Sequence, residues 1–380
     1  MSQPAVDDWD PRDPSVLEDQ RRAYDEMRER CPVAHSEFMG WSVFRHADVA
    51  EVTDDPATYT SATRRLAVPN GMDPPVHGPY REALAPAFND DRMAALEEAC
   101  GRIAGELLEP MTSGGEAEFM EAFATPYTLR ALCAFLGWPE AQWESLGGWT
   151  HGNQQVAFSR DRVAGKALAS LFTEHVKINL SYHRGEAHDA DDVTDALLAT
   201  RVDGKPLSEE EIVSALRNWT AGHGTVAAAL SIVVLHLAED VALQDGLRAD
   251  PSLIPAAIEE ILRADGPLVA NRRSTAREVE LGGRTIPAGE SVTLMWIAAN
   301  RDPDAFDDAD AIRIDRNTDD GMVWGRGIHL CLGAPMARLE LRVAIEALLA
   351  DTTHFEVHGE AARRVVYPSN GMEMLPLRFG

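Results

Sequence analysis

The amino-acid sequence predicts a mainly α protein with small β-sheets. Three observations carry that expectation. Apolar residues recur at helical spacing over long stretches, above all in "SEEEIVSALRNWTAGHGTVAAALSIVVLHLAED" (208–240). Strand-like runs are short and confined to 33–46, 272–300 and the last ten residues. Gly- and Pro-rich turns punctuate the remainder.

The elements follow in chain order. "VLEDQRRAYDEMRERCP" reads as an amphipathic helix stopped by Pro32. "VAHSEFMGWSVFRH" is a strand pair turning near Gly40, and "HADVAEVTDD" is a short helix. "VPNGMDPP" is a loop; from there to about Leu136 helical patterns dominate. "VAGKALASLFTEHVKINLSYHRG" is another long helix. Ser208 and Glu211 have the spacing of a capping box at the start of the longest one. "PSLIPAAIEEILRADGP" is a helix closed by Gly266 and Pro267, and "RRSTAREVELGGRTIPAGESVTLMWIAAN" is a set of strands broken by turns. "NGMEMLPLRF" forms a closing hairpin. With no repeat and no linker in view, residues 13–380 are expected to form one domain behind a flexible segment, 1–12.

The chain has 380 residues, 45% of them hydrophobic, which is ample for a core. With 62 acidic and 35 basic residues its net charge is -27, which argues against nucleic acid and anionic membranes as partners. The N-terminus lacks the basic and apolar regions of a signal peptide. The longest apolar stretch, "TVAAALSIVVLHLA" (225–238), is shorter than the roughly 20 residues a membrane span needs. A cytoplasmic protein is expected. Cys31, Cys100 and Cys133 lie in or beside apolar helical patterns, and no CxxC pair occurs, so no disulfide framework is implied.

Cys331 stands apart, in "WGRGIHLCLGAPMARLELR" (324–342). Gly325, Gly327 and Gly333 free the backbone for close approach to a flat ligand, and Pro335 suits the first turn of a helix. A thiolate just before a helix is stabilised by backbone N–H groups. Leu330 occupies the third glycine of a dinucleotide fingerprint, and a zinc site on His329 and Cys331 lacks two further ligands. Nor is there a local cysteine-protease pattern. On spacing alone, a structural cysteine and a functional thiolate both stand.

"WGRGIHLCLG" resembles the haem-binding loop of the cytochrome P450 family, FGxGxHxCxG, with Trp324 in place of the usual Phe. The resemblance implies the cytochrome P450 fold, with haem b between a long distal helix and the Cys-bearing loop and helix. It implies Cys331 as thiolate ligand of the iron, with Gly333 and Trp324 beside it. "DPPVHGPYR" resembles a segment whose matching residues, His77 and Arg81, contact a haem propionate; Arg273 and His329 are further propionate contacts by the same resemblance. Glu260 and Arg263 in "EEILR" match the structural ion pair of the ExxR motif. A third arginine completes that network in the family. Ala311 stands at its position here, leaving Arg313 or Arg316 as substitutes.

"AGHGT" departs from the family's AGx(D/E)T on the distal helix. Ala221, Gly222 and Thr225 match, but Gly224 stands where the acid belongs. In the family the acid and threonine relay protons. Thr225 keeps its part in this reading, and the acid's part falls to His223 or to water, unless His223 faces a neighbouring helix. Gly222 and Gly224 each cost about 1 kcal/mol in a helix relative to Ala, and are expected to open it locally. Pocket residues implied by resemblance are Leu66, Val68, Val156, Phe158, Ala221, Leu268, Val269, Ala270 and Met372; core packing explains several of them equally well.

The implied activity is insertion of one oxygen atom of O2 into a C–H bond, by hydroxylation or O/N-dealkylation. The substrate is a small, mostly apolar molecule, aromatic ones included. No flavin or iron–sulfur segment is visible, so electrons come from separate partners, a ferredoxin and its reductase or equivalents. Arg326, Arg338 and Arg342 form a basic island to receive an acidic partner, unless they are simply a solvated helix face. Peroxide-driven oxygenation and a non-catalytic haem-binding relative are the alternatives.

Overall fold

The computed structural model describes residues 8–63, 65–185, 192–359, 362–367 and 369–380. It is 57% helical with small sheets, as the periodicity predicts. Among the described residues eleven α-helices have eight residues or more: α1 (Gln20–Arg30), α2 (His46–Asp54), α3 (His77–Leu84), α4 (Asp90–Ser113), α5 (Thr125–Leu136), α6 (Trp143–Ser159), α7 (Arg162–His183), α8 (Glu209–Glu239), α9 (Val241–Ala249), α10 (Ile254–Ala264) and α11 (Ala334–Asp351).

α8 is the axis of the molecule. Ser208 caps it in the predicted box, its hydroxyl accepting from Glu211 N while the Glu211 carboxylate accepts from Ser208 N. α5, α6, α7, α10 and α11 all pack against it, and α4 packs on α5 and α11. By length and composition α8 could cross a membrane, which the shorter apolar stretch had not suggested. However, 67% of its apolar window is buried by these neighbours, as in a core helix. Cys100 and Cys133 are buried in the same core.

A five-stranded sheet flanks the helices, in the order Val33–Ser36, Gly40–Val43, Ser291–Met295, Ala270–Thr275, Tyr59–Thr60. Gly40 (φ +72°) opens its strand where a Cβ would lie 2.5 Å from Ser291 O, so no side chain is admissible there. The expected closing hairpin does not form. Met372–Met374 pairs with Arg363–Arg364, whereas Pro376–Phe379 lies between Phe355–Val357 and Glu116–Glu118. Leu375, fully buried, carries the chain from one sheet to the other. "WIAAN" (296–300) is helical rather than extended. The segment expected to be loose lies outside the described residues up to residue 7. Beyond it, Asp8 exchanges hydrogen bonds with His35, and Trp9 packs edge-on to Phe44.

Candidate active site

The loop before α11 is built by its glycines. Gly325 and Gly327 adopt φ +78° and +68°, and a Cβ on Gly327 would sit 2.7 Å from Thr53 O. Cys331 N donates to Trp324 O (2.8 Å), closing the turn, and α11 starts at Ala334 with Pro335 in its first turn. Cys331 is exposed, unlike the other three cysteines. Crowding around its sulfur raises the thiol pKa, while the N–H groups of Gly333 and Ala334 and the charges of Arg81 and Arg338 pull it back. Those four groups all favour the anion, which a metal cation would complete. Trp324 donates Nε1 to Glu259 Oε2 (2.9 Å), and Arg338 bonds the same carboxylate (2.7 Å) while lying 4.8 Å over the indole.

Four predicted residues converge nearby. The rings of His77 and His329 meet edge to face at 4.6 Å. His77 Nε2 and both ring nitrogens of His329 are buried without a hydrogen-bond partner, a rare and costly condition. Burial, then Arg273 and His77, push His329 down to about 4. Burial and Arg81 lower His77. Arg81 makes no ion pair among the described residues. Unpartnered ring nitrogens beside two guanidinium groups have the donors and charge that buried carboxylates require.

On α8, Ala221, Gly224 and Thr225 are half-buried and Gly222 is exposed, between fully buried Thr220 and buried Ala227. The helix runs unbroken here, so the glycines do not open it. They clear its surface instead: among the described residues a Cβ on Gly222 would meet nothing within 4 Å. Thr220 back-bonds to Leu216 O (2.8 Å), but the Thr225 hydroxyl has no partner among the described residues.

His223 does not join this face. Its Nδ1 lies 2.8 Å from Trp219 O and its Nε2 3.2 Å from Glu340 Oε1 of α11, both side chains buried. The relay role expected for it is therefore corrected: residues two apart on a helix point to nearly opposite sides, and both ring nitrogens are engaged. Burial works to lower the His223 pKa, but Glu340 and the Trp219 carbonyl outweigh it and raise it.

Glu260 and Arg263 form a bidentate pair (2.8 and 2.9 Å) with no exposure. Arg316, not Arg313, is the third arginine. Its Nε reaches Glu260 Oε1 at 2.9 Å, whereas Arg313 offers only its backbone N–H (3.0 Å). Arg263 spans to the carbonyls of Asn300 and Ala309, tying α10 to the segment before the Cys331 loop.

The pocket candidates divide. Leu66 (40% exposed), Phe158 (37%), Ala221, Leu268 and Ala270 keep accessible surface. Val156 instead turns toward α7, 3.0 Å from where a Gly165 Cβ would lie. Val269 belongs to the core beneath the sheet with Trp9 and Tyr24, and Met372 and Val68 to the main core. Sequence reasoning missed what fixes the 66–68 loop. Ser214 Oγ accepts from Val68 N (2.9 Å) and donates to Leu66 O, and Asn218 donates to Val68 O (2.9 Å). The i, i+4 spacing of these polar residues on α8 was the available signal. The basic island is also corrected: Arg326 pairs with Asp54, Arg338 with Glu259, and Arg342 with Glu97 and Glu346.

The sequence profile of the family described as Cytochrome P450 matches residues 152–375. The chain belongs to the cytochrome P450 family. It is 34% identical over 354 residues to a cyclomarin C epoxidase of Salinispora arenicola, covering 88% of this chain and 89% of the relative. It is equally 34% identical over 342 residues to the erythromycin C-12 hydroxylase of Saccharopolyspora erythraea, covering 85% of each. The structure of a mutant of P450 EryK in complex with erythromycin B superposes with a TM-score of 0.88 at 29% identity, covering 96% of this chain and 97% of that one. This P450 is accordingly a monooxygenase, and haem b is its cofactor. The site fits that group. The unpartnered nitrogens of His77 and His329, with Arg81 and Arg273, match two propionates, and the N–H-supported Cys331 sulfur matches an iron ligand.

Proposed function

We propose that this P450 inserts one oxygen atom of O2 into a C–H bond of a small, mostly apolar substrate, aromatic ones included, by hydroxylation or O/N-dealkylation. The observation that carries the reading is Cys331: an exposed residue in the loop just before α11, its sulfur supported by the Gly333 and Ala334 N–H groups. Haem, when bound, supplies the redox chemistry of oxygen activation. The chain's own residues do the rest. Cys331 ligates the iron, and the N–H groups on its sulfur tune how strongly it donates. His77, Arg81, Arg273 and His329 anchor the propionates. Leu66, Phe158, Ala221, Leu268 and Ala270 supply apolar contact that excludes water. Thr225, its hydroxyl without a partner among the described residues, would be available to hydrogen-bond a water or ligand beside the haem.

Separate redox proteins, a ferredoxin and its reductase or equivalents, deliver electrons in this reading. A groove lined by Trp324, Leu330, Pro335, Arg338 and Arg342 runs beside the Cys331 loop and is the proposed docking place. Because its arginines are already paired, we assign docking to shape and the exposed Leu330 rather than to net positive charge. A cytoplasmic location is part of this reading, and the burial of α8 supports a core helix rather than a membrane span. Gly224, lacking the acid, favours a second reading in which hydrogen peroxide is the oxidant. Turnover with O2 and a surrogate ferredoxin chain, measured against turnover with peroxide alone, separates the two. Product only with peroxide would overturn the first.

A further inference from the structure

The absent acid at Gly224 has a counterpart on another helix. Gln154, on α6, extends its carboxamide across to α8. A Cβ built on Gly224 would lie 3.3 Å from Gln154 Nε2, and among the described residues no other atom comes within 4 Å of it, its two chain neighbours and the backbone of α8 aside. Gln154 is half-buried, and its carboxamide has no hydrogen-bond partner among the described residues. Thr225, the next residue along α8, likewise has a hydroxyl without a partner. A polar side chain thus ends beside the place where a side chain at 224 would begin, and the missing Cβ leaves room for its approach.

We propose that the Gln154 carboxamide, together with Thr225, holds the water that delivers protons for oxygen activation, in the position left by the absent acid. This rests on the monooxygenase reading above. A carboxamide donates and accepts at once, so it can fix a water; being neutral across the working range, it cannot itself surrender a proton. The chemistry sets what is at stake. One O2, two electrons and two protons give one inserted oxygen and one water. When protons are badly placed, the same two electrons and two protons leave with O2 as hydrogen peroxide.

The test uses the holoenzyme with its redox chain and three variants, Gln154→Met, Gln154→Ala and Gln154→Glu. The share of electrons lost as peroxide is measured against pH. Gln154→Met keeps the size and loses the hydrogen bonds, so peroxide loss is expected to rise several-fold in it and in Gln154→Ala. Gln154→Glu is expected to keep the loss low and to add a pH dependence that the parent lacks, which a purely structural role would not produce. A second readout needs no turnover. Gly224→Ala is made with and without Gln154→Ala, and thermal midpoints are compared as a double-mutant cycle. Ala should gain more stability once the carboxamide is gone. Equal gains in both backgrounds, or peroxide loss unchanged in Gln154→Met, overturn the proposal. If the reduced holoprotein lacks the strongly red-shifted carbon monoxide band of a thiolate-ligated haem, the proposed function fails and this role with it. If the band is present and peroxide loss is unchanged, this role alone fails.

Discussion

Replacing Arg316 by Ala should cost far more stability than replacing Arg313, although the sequence offered the two as equal candidates. Arg316 donates to buried Glu260 at 2.9 Å and to the carbonyls of Asp307 (2.7 Å) and Asp308 (3.0 Å). Removing one partner of a buried ion pair costs about 3–5 kcal/mol when the remaining charge is left uncompensated. Glu260 would keep its bidentate Arg263 and the Arg313 N–H, so the cost falls below that range, to about 2–3 kcal/mol. Arg313 contributes only a backbone group, which Ala retains, so its replacement should stay within about 0.5 kcal/mol. Burial would raise the Glu260 pKa, but hydrogen bonds from Arg263, Arg313 N and Arg316 hold it below its ordinary 4.5. A depressed carboxyl contributes stability above its unfolded pKa and loses it as pH falls through the folded value. The gap between parent and Arg316→Ala should therefore narrow in acid. Urea unfolding followed by circular dichroism at neutral and acid pH reads both effects. Equal losses for the two arginines, or a gap that widens in acid, would refute the reasoning.

Other expectations follow from the same geometry. His223→Leu strands the Glu340 charge and should cost about 3 kcal/mol, much of it recovered in His223→Leu/Glu340→Leu, with the pH profile of product formation unmoved. Because the His223 pKa is raised from 6.5, its contribution is present below that value and lost as pH climbs through the raised one, so the loss should be larger at mildly acid than at alkaline pH. His329→Ala removes two nitrogens from the propionate receptor and should speed haem transfer to apomyoglobin; an unchanged rate would remove His329 from that role. Gly327→Ala forces a side chain to φ +68° and against Thr53 O, and should lower the haem-to-protein ratio on purification.

The Cys331 loop was legible through its resemblance to the family's haem-binding loop, and the structure adds why the glycines stand there: positive φ at Gly325 and Gly327 and a 2.7 Å approach to Thr53 O. The Glu260–Arg263 pair was legible because both residues share one helix face. The choice of Arg316 over Arg313 was not, since it depends on how the loop after Ala311 folds back onto α10. His223 was misassigned although the angle was available: at about 100° per residue it lies some 200° from Thr225, on the side facing α11. Val68, Val269 and Met372 sit among core side chains, a placement the sequence could not show because apolar residues read the same in a core and in a pocket. Gln154 left no local trace, since it reaches Gly224 only through the packing of α6 on α8.

If Cys331 holds haem iron as a thiolate, the visible absorption of the haem must show it. The most direct measurement is the absorption spectrum of the reduced protein exposed to carbon monoxide, with Cys331→Ala alongside. A strongly red-shifted Soret band is expected in the parent and should be lost in Cys331→Ala. Absence of haem, or a band of the histidine-ligated kind in the parent, would contradict it.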